Sequence, residues 1–283
     1  MKITVMSGKG GTGKTTAATN MALSLKNVQF LDADVEEPNA SIFLKPEFFG
    51  NSEKAWRNIP DIEQNKCSGC RSCIEFCEYN ALARLGEKII VYPEVCSSCG
   101  GCKIICPENV IKVKKRQVGE ITGGRSTFNS RSIDFWQGKL TVGEASAVPL
   151  IAQLKKKINK NKMVIIDAPP GATCPTIESA SDSDFIILVT EPTPFGLHDL
   201  KIAVELAQKL GNPYGVIINR SQPKADNIIE DFCRDKQIDI LLKIPFSREI
   251  AELYSRGIPF ITEMKDWQDK FQQIMVDIKE MTA

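Results

Sequence analysis

Eight of the ten cysteines fall into two runs of one spacing, and no other feature of the 283-residue chain restricts its fold as strongly. Cys67, Cys70, Cys73 and Cys77 form the first run; Cys96, Cys99, Cys102 and Cys106 form the second. Each reads C-x2-C-x2-C-x3-C, and the second follows the first by 29 residues. A disulfide framework would suit a small secreted domain, but residues 1–7 hold too short an apolar run for a secretory signal. Zinc sites take paired ligands separated by a longer loop. Three cysteines at steps of three instead wrap a short loop around one corner of a metal cluster. Small residues in these loops (Ser68, Gly69, Ser97, Ser98, Gly100 and Gly101) let backbone N–H groups approach a cluster's sulfides.

The segment 61–118 resembles a two-cluster bacterial ferredoxin along its length, and the 29-residue repeat matches the pseudo-twofold symmetry of that fold. In such proteins the fourth cysteine of each run ligates the other cluster. The resemblance therefore assigns Cys67, Cys70, Cys73 and Cys106 to one [4Fe–4S] cluster, and Cys96, Cys99, Cys102 and Cys77 to the second. Pro107 follows Cys106 as the motif expects, whereas Glu78 stands after Cys77. That departure alters a loop and removes no ligand.

The N-terminus carries a second motif. Residues 2–6 read as a short buried strand, followed by Gly8-Lys9-Gly10-Gly11-Thr12-Gly13-Lys14-Thr15-Thr16, a match to G-x4-G-K-[ST]. The glycines permit a tight turn that aims backbone N–H groups at phosphates, and the helix predicted over 14–26 points its positive end at them. Lys14 would neutralise the β- and γ-phosphates of ATP, or the β-phosphate of ADP, and the Thr15 hydroxyl would bind Mg²⁺. With Lys9 the loop resembles the deviant Walker A family, which includes MinD, ParA, Mrp/Nbp-type scaffolds and the nitrogenase iron protein. The resemblance implies that Lys9 reaches the nucleotide of a partner subunit, in a homodimer or in a heterodimer with a related ATPase. The alternative is a surface lysine in a Gly-rich turn.

Further stretches match the family in order. Asp34, after the strand at 28–31, matches the aspartate that orients the attacking water. Asp32 would sit near the Mg²⁺ shell. The apolar run 163–166 ends in Asp167-Ala168-Pro169-Pro170-Gly171. There the resemblance implies that Asp167 holds Mg²⁺ through water and that the Gly171 N–H senses the γ-phosphate. It gives Asn219 and Arg220 to the nucleotide base, flanked by Pro245 and Phe246. Cys174 lies seven residues beyond Asp167, at the offset of a cluster-ligating cysteine in the nitrogenase iron protein, so two copies would face each other across a dimer and bind metal. The alternative is a small residue in a loop. No second cysteine of that design is evident, nor the C-terminal C-x2-C of the eukaryotic-type scaffolds.

The expected fold class is α/β: a mostly parallel P-loop NTPase sheet like that of MinD or the nitrogenase iron protein, with an inserted α+β two-cluster ferredoxin domain. The expected domains are 1–60 with 119–283, and 61–118. The stretch 119–132, rich in Gly, Ser and Thr, reads as a mobile return linker. His198 is expected at a helix start or in solvent, the alternative being a contact to the stretch after Asp167 or to a partner subunit. Cys233 is expected as a buried thiol, and the stripe Trp267, Phe271, Ile274, Met275 and Ile278 as core. Lysine runs at 112–116 and 155–162 read as solvated faces or as docking sites for an acidic redox partner.

Two hypotheses follow. One is an ATPase that couples hydrolysis at a dimer interface, slow without a partner, to electron transfer or to maturation of a client's metallocofactor. The acceptor would be a redox or client protein. The other is a MinD- or ParA-like spatial switch whose clusters are structural or redox-sensing. The second predicts binding to membrane or DNA, and 36 basic against 35 acidic residues give no overall drive toward either. No apolar run reaches the roughly 18 residues of a membrane span, so the expectation is a cytoplasmic protein with no nucleic-acid or membrane partner.

Overall fold

In the computed structural model, which describes residues 1–128 and 131–282, the apolar runs become the centre of one sheet. Strands and α-helices are numbered in chain order. Strands β1 (Lys2–Met6), β2 (Val28–Asp32), β9 (Met163–Asp167), β10 (Phe185–Thr190), β11 (Tyr214–Ser221) and β12 (Ile240–Pro245) pair in parallel, in the order β12-β11-β10-β1-β9-β2. A parallel sheet needs both faces covered. Helices α1 (Lys14–Ser24) and α10 (Asp266–Met281) pack on one face against Ile3, Val5, Phe30 and Ile165. Helices α7 (Pro194–Leu210) and α8 (Asn227–Lys236) cover Ile186, Leu188 and Val216 on the other, and α5 (Val148–Lys155) covers Val164 and Ile166. Val164 and Ile166 thus face away from Ile165, as the two-residue period of a strand requires. The C-terminal stripe from Trp267 to Ile278 is buried in the first of these cores, and Cys233 is buried on the inner face of α8.

Residues 119–132 differ from the loop that their composition suggests. Strand β7 (Ile111–Phe128) takes in residues 119–128, and β8 (Arg131–Leu140) pairs antiparallel with it, with register from Gly119↔Leu140 to Phe128↔Arg131. Of the expected linker, Asn129 and Ser130 lie outside the described residues. Strand β8 then pairs in parallel with β2 and so joins the main sheet. The glycines serve close packing. A Cβ on Gly123 would lie 2.7 Å from the Trp136 ring, and one on Gly124 2.8 Å from the Glu47 carbonyl oxygen.

Strands β3 (Glu47–Phe48) and β4 (Glu53–Ile62) pair antiparallel with β7. The β4–β7 ribbon runs from Glu53↔Ile121 to Ile62↔Ile111, and the cysteine-rich segment is attached to its far end. Boundaries at 60/61 and 118/119 therefore fall inside a continuous ribbon. The segment holds α3 (Ser72–Glu75), the hairpin β5 (Leu82–Leu85) and β6 (Lys88–Val91), and α4 (Gly101–Ile105). Its core is small: Cys73, Leu82, Ile89, Val110 and Ile111. The 29-residue repeat extends to the backbone. Left-handed φ angles recur at Gly69 and Ser98, at Arg71 and Gly100, and at Asn80 and Asn109. Among the described residues, no helix is long and apolar enough to cross a membrane.

Candidate functional site

The strand-loop-helix at the N-terminus forms one wall of a cavity of about 770 Å³ at the C-terminal edge of the sheet. Gly13 precedes α1 with φ 94°, and a Cβ there would stand 2.1 Å from the Asn219 amide nitrogen. Only glycine meets both demands. Gly10, Gly11, Gly13, Lys14, Thr15, Thr16, Asp34, Asn219, Arg220, Pro245 and Phe246 all line the cavity. Gly8 and the buried Thr12 support the loop from behind. A Cβ on Gly8 would strike the Asp199 carbonyl oxygen at 2.2 Å, and the Thr12 carbonyl accepts a 2.8 Å hydrogen bond from Asn219.

Behind the loop stand two carboxylates. Asp32 and Asp167 end the adjacent strands β2 and β9 in direct register, and both are fully buried. Burial and then the neighbouring Asp167 charge push Asp32 well above the usual carboxylate range. Burial pushes Asp167 up to about 7, although the Lys14 ammonium and the Thr15 hydroxyl pull it down. Thr15 Oγ1 donates to Asp167 Oδ2 at 2.5 Å, while Asp167 Oδ1 is buried without a protein partner. A buried carboxylate oxygen with no donor beside a threonine hydroxyl fits the outer shell of a divalent cation. Asp34, half-buried at the cavity, is also raised, by burial first and against the pull of Lys14.

Four of the candidate residues have polar groups engaged within the chain. Asp32 has both oxygens engaged by backbone, accepting from Asp34 N at 3.2 Å and Ala40 N at 2.9 Å. It caps the turn into α2 (Ala40–Leu44). The Gly171 N–H donates to Ser7 O at 2.9 Å and so is not presented to the cavity. Lys9 points away from the cavity, 2.9 Å from Glu191 and 3.9 Å from Asp199. Asn219 already spends one amide hydrogen on the phosphate loop. Glu191 and Asp199 have no recognisable motif, and neither do Tyr254 and Ile250 of α9 (Arg248–Ser255), which complete the cavity wall. The amphipathic pattern of α9 was the available signal, but it does not say which cavity the helix borders. His198 lies exposed one turn inside α7, which Thr193 caps by accepting from Gly196 N.

The eight cysteines separate into two groups of four, each drawn from both runs. Cys67, Cys70, Cys73 and Cys106 line one small cavity; Cys77, Cys96, Cys99 and Cys102 line another of about 340 Å³. A single zinc ion needs its ligands about 2.3 Å from one point, and among the described residues no three His, Cys, Asp or Glu side chains converge in that way. The four cysteines around each cavity supply the number and kind of ligands that a [4Fe–4S] cluster takes. Ser98 N donates to Cys96 Sγ at 3.4 Å and Ala81 N to Cys77 Sγ at 3.3 Å, the backbone contacts that stabilise thiolate ligands. Cys174 stands apart and exposed at the start of α6 (Cys174–Ala180), between Thr173 and Pro175 of the nucleotide cavity.

Several members of the lysine runs are tied into ion pairs. Lys112 pairs with Glu63, Lys114 with Asp61 at 3.2 Å, Lys157 with Glu53 at 2.6 Å and Lys162 with Asp134 at 2.6 Å.

A family model described as the CobQ/CobB/MinD/ParA nucleotide binding domain matches residues 3–260. A protein of Methanocaldococcus jannaschii, itself uncharacterised, is 30% identical over 266 residues, which are 92% of this chain and 91% of the relative. An iron-sulfur cluster carrier protein of Methanococcus maripaludis is 22% identical over 300 residues, 99% of this chain and 84% of the relative. Among solved structures, the septum site-determining protein MinD of Pyrococcus horikoshii, complexed with Mg-ADP, has a TM-score of 0.57 at 18% identity, covering 100% of this chain and 98% of that one. That likeness is one of fold.

Proposed function

The chain belongs to the CobQ/CobB/MinD/ParA nucleotide-binding family, and on that premise we propose that it is a P-loop ATPase coupling ATP turnover to two [4Fe–4S] clusters held by the same chain. The observation that carries this reading is the β4–β7 ribbon. It roots two four-cysteine sites in the sheet whose edge forms the nucleotide cavity.

In this reading the loop from Gly8 to Thr16 wraps the phosphates with backbone N–H groups. Lys14, almost fully buried, neutralises their charge. Mg²⁺ would be held by Thr15, with Asp167 and Asp32 behind it, and would offset phosphate charge. Asp34 orients the attacking water. Pro245, Phe246 and Tyr254 enclose the base beside Asn219 and Arg220. Lys9 is tied to Glu191 and Asp199 within its own chain, so its use by a second copy requires those ion pairs to be exchanged for the partner's phosphate. Hydrolysis is therefore slow until a dimer forms. When bound, each cluster supplies a one-electron store. The cysteine loops position it, and the exposed ends of the module face an acceptor protein.

A second reading, delivery of a cluster to a client protein, is favoured by the carrier name of the Methanococcus relative and by the exposure of Cys174 beside the cavity. It predicts that Cys174→Ser abolishes client activation, whereas gated electron transfer predicts no loss.

Anaerobic iron, sulfide and ATPase assays test the main reading. The protein should hold about eight irons and eight sulfides, four of each per cluster. Lys14→Ala should lower ATP turnover by about two orders of magnitude with iron unchanged. Cys99→Ser should halve the iron with nucleotide affinity unchanged. One zinc per cysteine site, or iron-free protein after anaerobic reconstitution, would contradict the reading.

A further inference from the structure

A buried charge cluster lies between the nucleotide cavity and the second cysteine loop. Arg57 on β4 is only 4% exposed. Its guanidinium donates to the carbonyls of Cys96 and Pro93, and at 3.3 Å to that of Glu94. The same group donates to Glu144 Oε2 at 2.6 Å. Glu144, in the loop between β8 and α5, has its side chain almost wholly buried, and its other oxygen accepts from Arg116 Nε on β7 at 2.6 Å. Arg116 also lies 3.1 Å from the Glu94 carboxylate. Among the described residues, no side chain donates to the carbonyls of Gln64, Asn65 or Cys67, the equivalents in the first run. The repeat is thus broken at this point.

The other end of the cluster reaches the nucleotide site. Val35 follows Asp34, and its carbonyl accepts from Leu140 N at 2.8 Å, at the end of β8. The next residue, Thr141, donates its N–H to Val118 O of β7 at 2.9 Å and accepts from Glu144 N at 3.2 Å. A continuous path therefore runs from Asp34 through Val35, Leu140 and Glu144 to Arg57 and the Cys96 carbonyl. Two arginines on one buried carboxylate are costly to desolvate, and apolar residues of similar volume often serve stability as well or better. A fork that reaches three carbonyls and a carboxylate at once gives geometric definition that packing does not.

We propose that Arg57, fixed by Glu144 and Arg116, is a positioning residue that transmits the nucleotide state to the second cysteine site alone. The site held by Cys77, Cys96, Cys99 and Cys102 then responds to ATP, and the site held by Cys67, Cys70, Cys73 and Cys106 does not. This rests on the nucleotide-and-cluster reading given above.

Amide hydrogen exchange on the full, cluster-loaded chain under anaerobic conditions tests it, with and without Mg²⁺ and a non-hydrolysable β,γ-imido ATP analogue. In the wild type the analogue should protect amides 10–16 and change exchange at 94–99, with no change at 65–70. Arg57→Lys keeps the charge beside Glu144 but loses the fork. Amides 94–99 should exchange about tenfold faster, the order expected for one lost charge-assisted hydrogen bond. They should also no longer respond to the analogue, while protection at 10–16 is unchanged. Glu144→Gln should shift the same amides in the same direction. A wild-type response at 94–99 in both variants would overturn the proposal, as would an equal response at 65–70. So would a wild type protected at 10–16 but silent at 94–99, which leaves the nucleotide reading intact. Absence of protection at 10–16 would remove that reading and the proposal with it.

Discussion

At Asp167 the site's chemistry is written in one side chain. Burial lifts its carboxyl to about 7 from an ordinary value near 4. In the protein free of nucleotide and cation, the folded chain keeps a proton that the unfolded chain releases between about pH 4 and 7. Stability of that form should therefore fall as pH rises through this window and level off above it. Urea unfolding at pH 5 and 7.5 checks this, and Asp167→Asn should flatten the slope; an unchanged slope would contradict the assignment. The two isolated cysteines differ in the same physical terms. Burial, and then Glu230, push the Cys233 thiol up to about 11, whereas Cys174 is exposed. Iodoacetamide should label Cys174 within minutes in the folded cluster-loaded protein and reach Cys233 only on unfolding. Labelling of Cys233 at a comparable rate would place it outside the α8 core. The phosphate-loop residues of the cavity were legible because the loop motif fixes both identity and spacing. Arg57 and Glu144 were not, because 87 residues separate them and lone charges give no sign of mutual burial.

At the scale of elements, the sequence shows apolar strands and conceals polar ones. Strands β1, β2, β9, β10 and β11 are short apolar runs and read directly as buried. Strand β7 begins Ile111-Lys112-Val113-Lys114-Lys115-Arg116 and continues through Gly119, Gly123 and Gly124. Its outer half forms an exposed ribbon, so no apolar alternation marks it. Its glycines, which composition assigns to a loop, are demanded by Trp136 and the Glu47 backbone. Gly124→Val should therefore destabilise the protein by about 1–3 kcal/mol through overpacking, measurable by urea unfolding. The cysteine module has too small a core to hold itself together, since small domains rely on metals or disulfides. Removing the clusters with a chelator under air should raise amide exchange across 64–110 while β1, β9 and β10 stay protected. Unchanged exchange in the module would mean that its fold needs no metal. In α10, Phe271→Ala should cost about 3–5 kcal/mol, because the ring is fully buried against Phe260 and Trp267.

Across the whole molecule, the sheet and the cysteine module share one strand. A flexible linker would let the module move independently of the nucleotide site. A paired ribbon that enters the sheet beside β8, itself next to β2 and Asp34, ties the two together. The two cysteine runs and the phosphate loop were each readable from local spacing. Their mechanical connection was not, since it depends on pairing between strands that the sequence presents as a charged stretch and a glycine-rich one. Coupling is the claim on which the functional account stands, and an anaerobic redox titration followed by electron paramagnetic resonance, with and without Mg-ATP, tests it most directly. Coupling requires two reducible [4Fe–4S] centres, of which the one held by Cys77, Cys96, Cys99 and Cys102 changes potential or line shape when Mg-ATP is added. Two reducible centres with identical titrations in both conditions, in protein shown to bind the nucleotide, would contradict it.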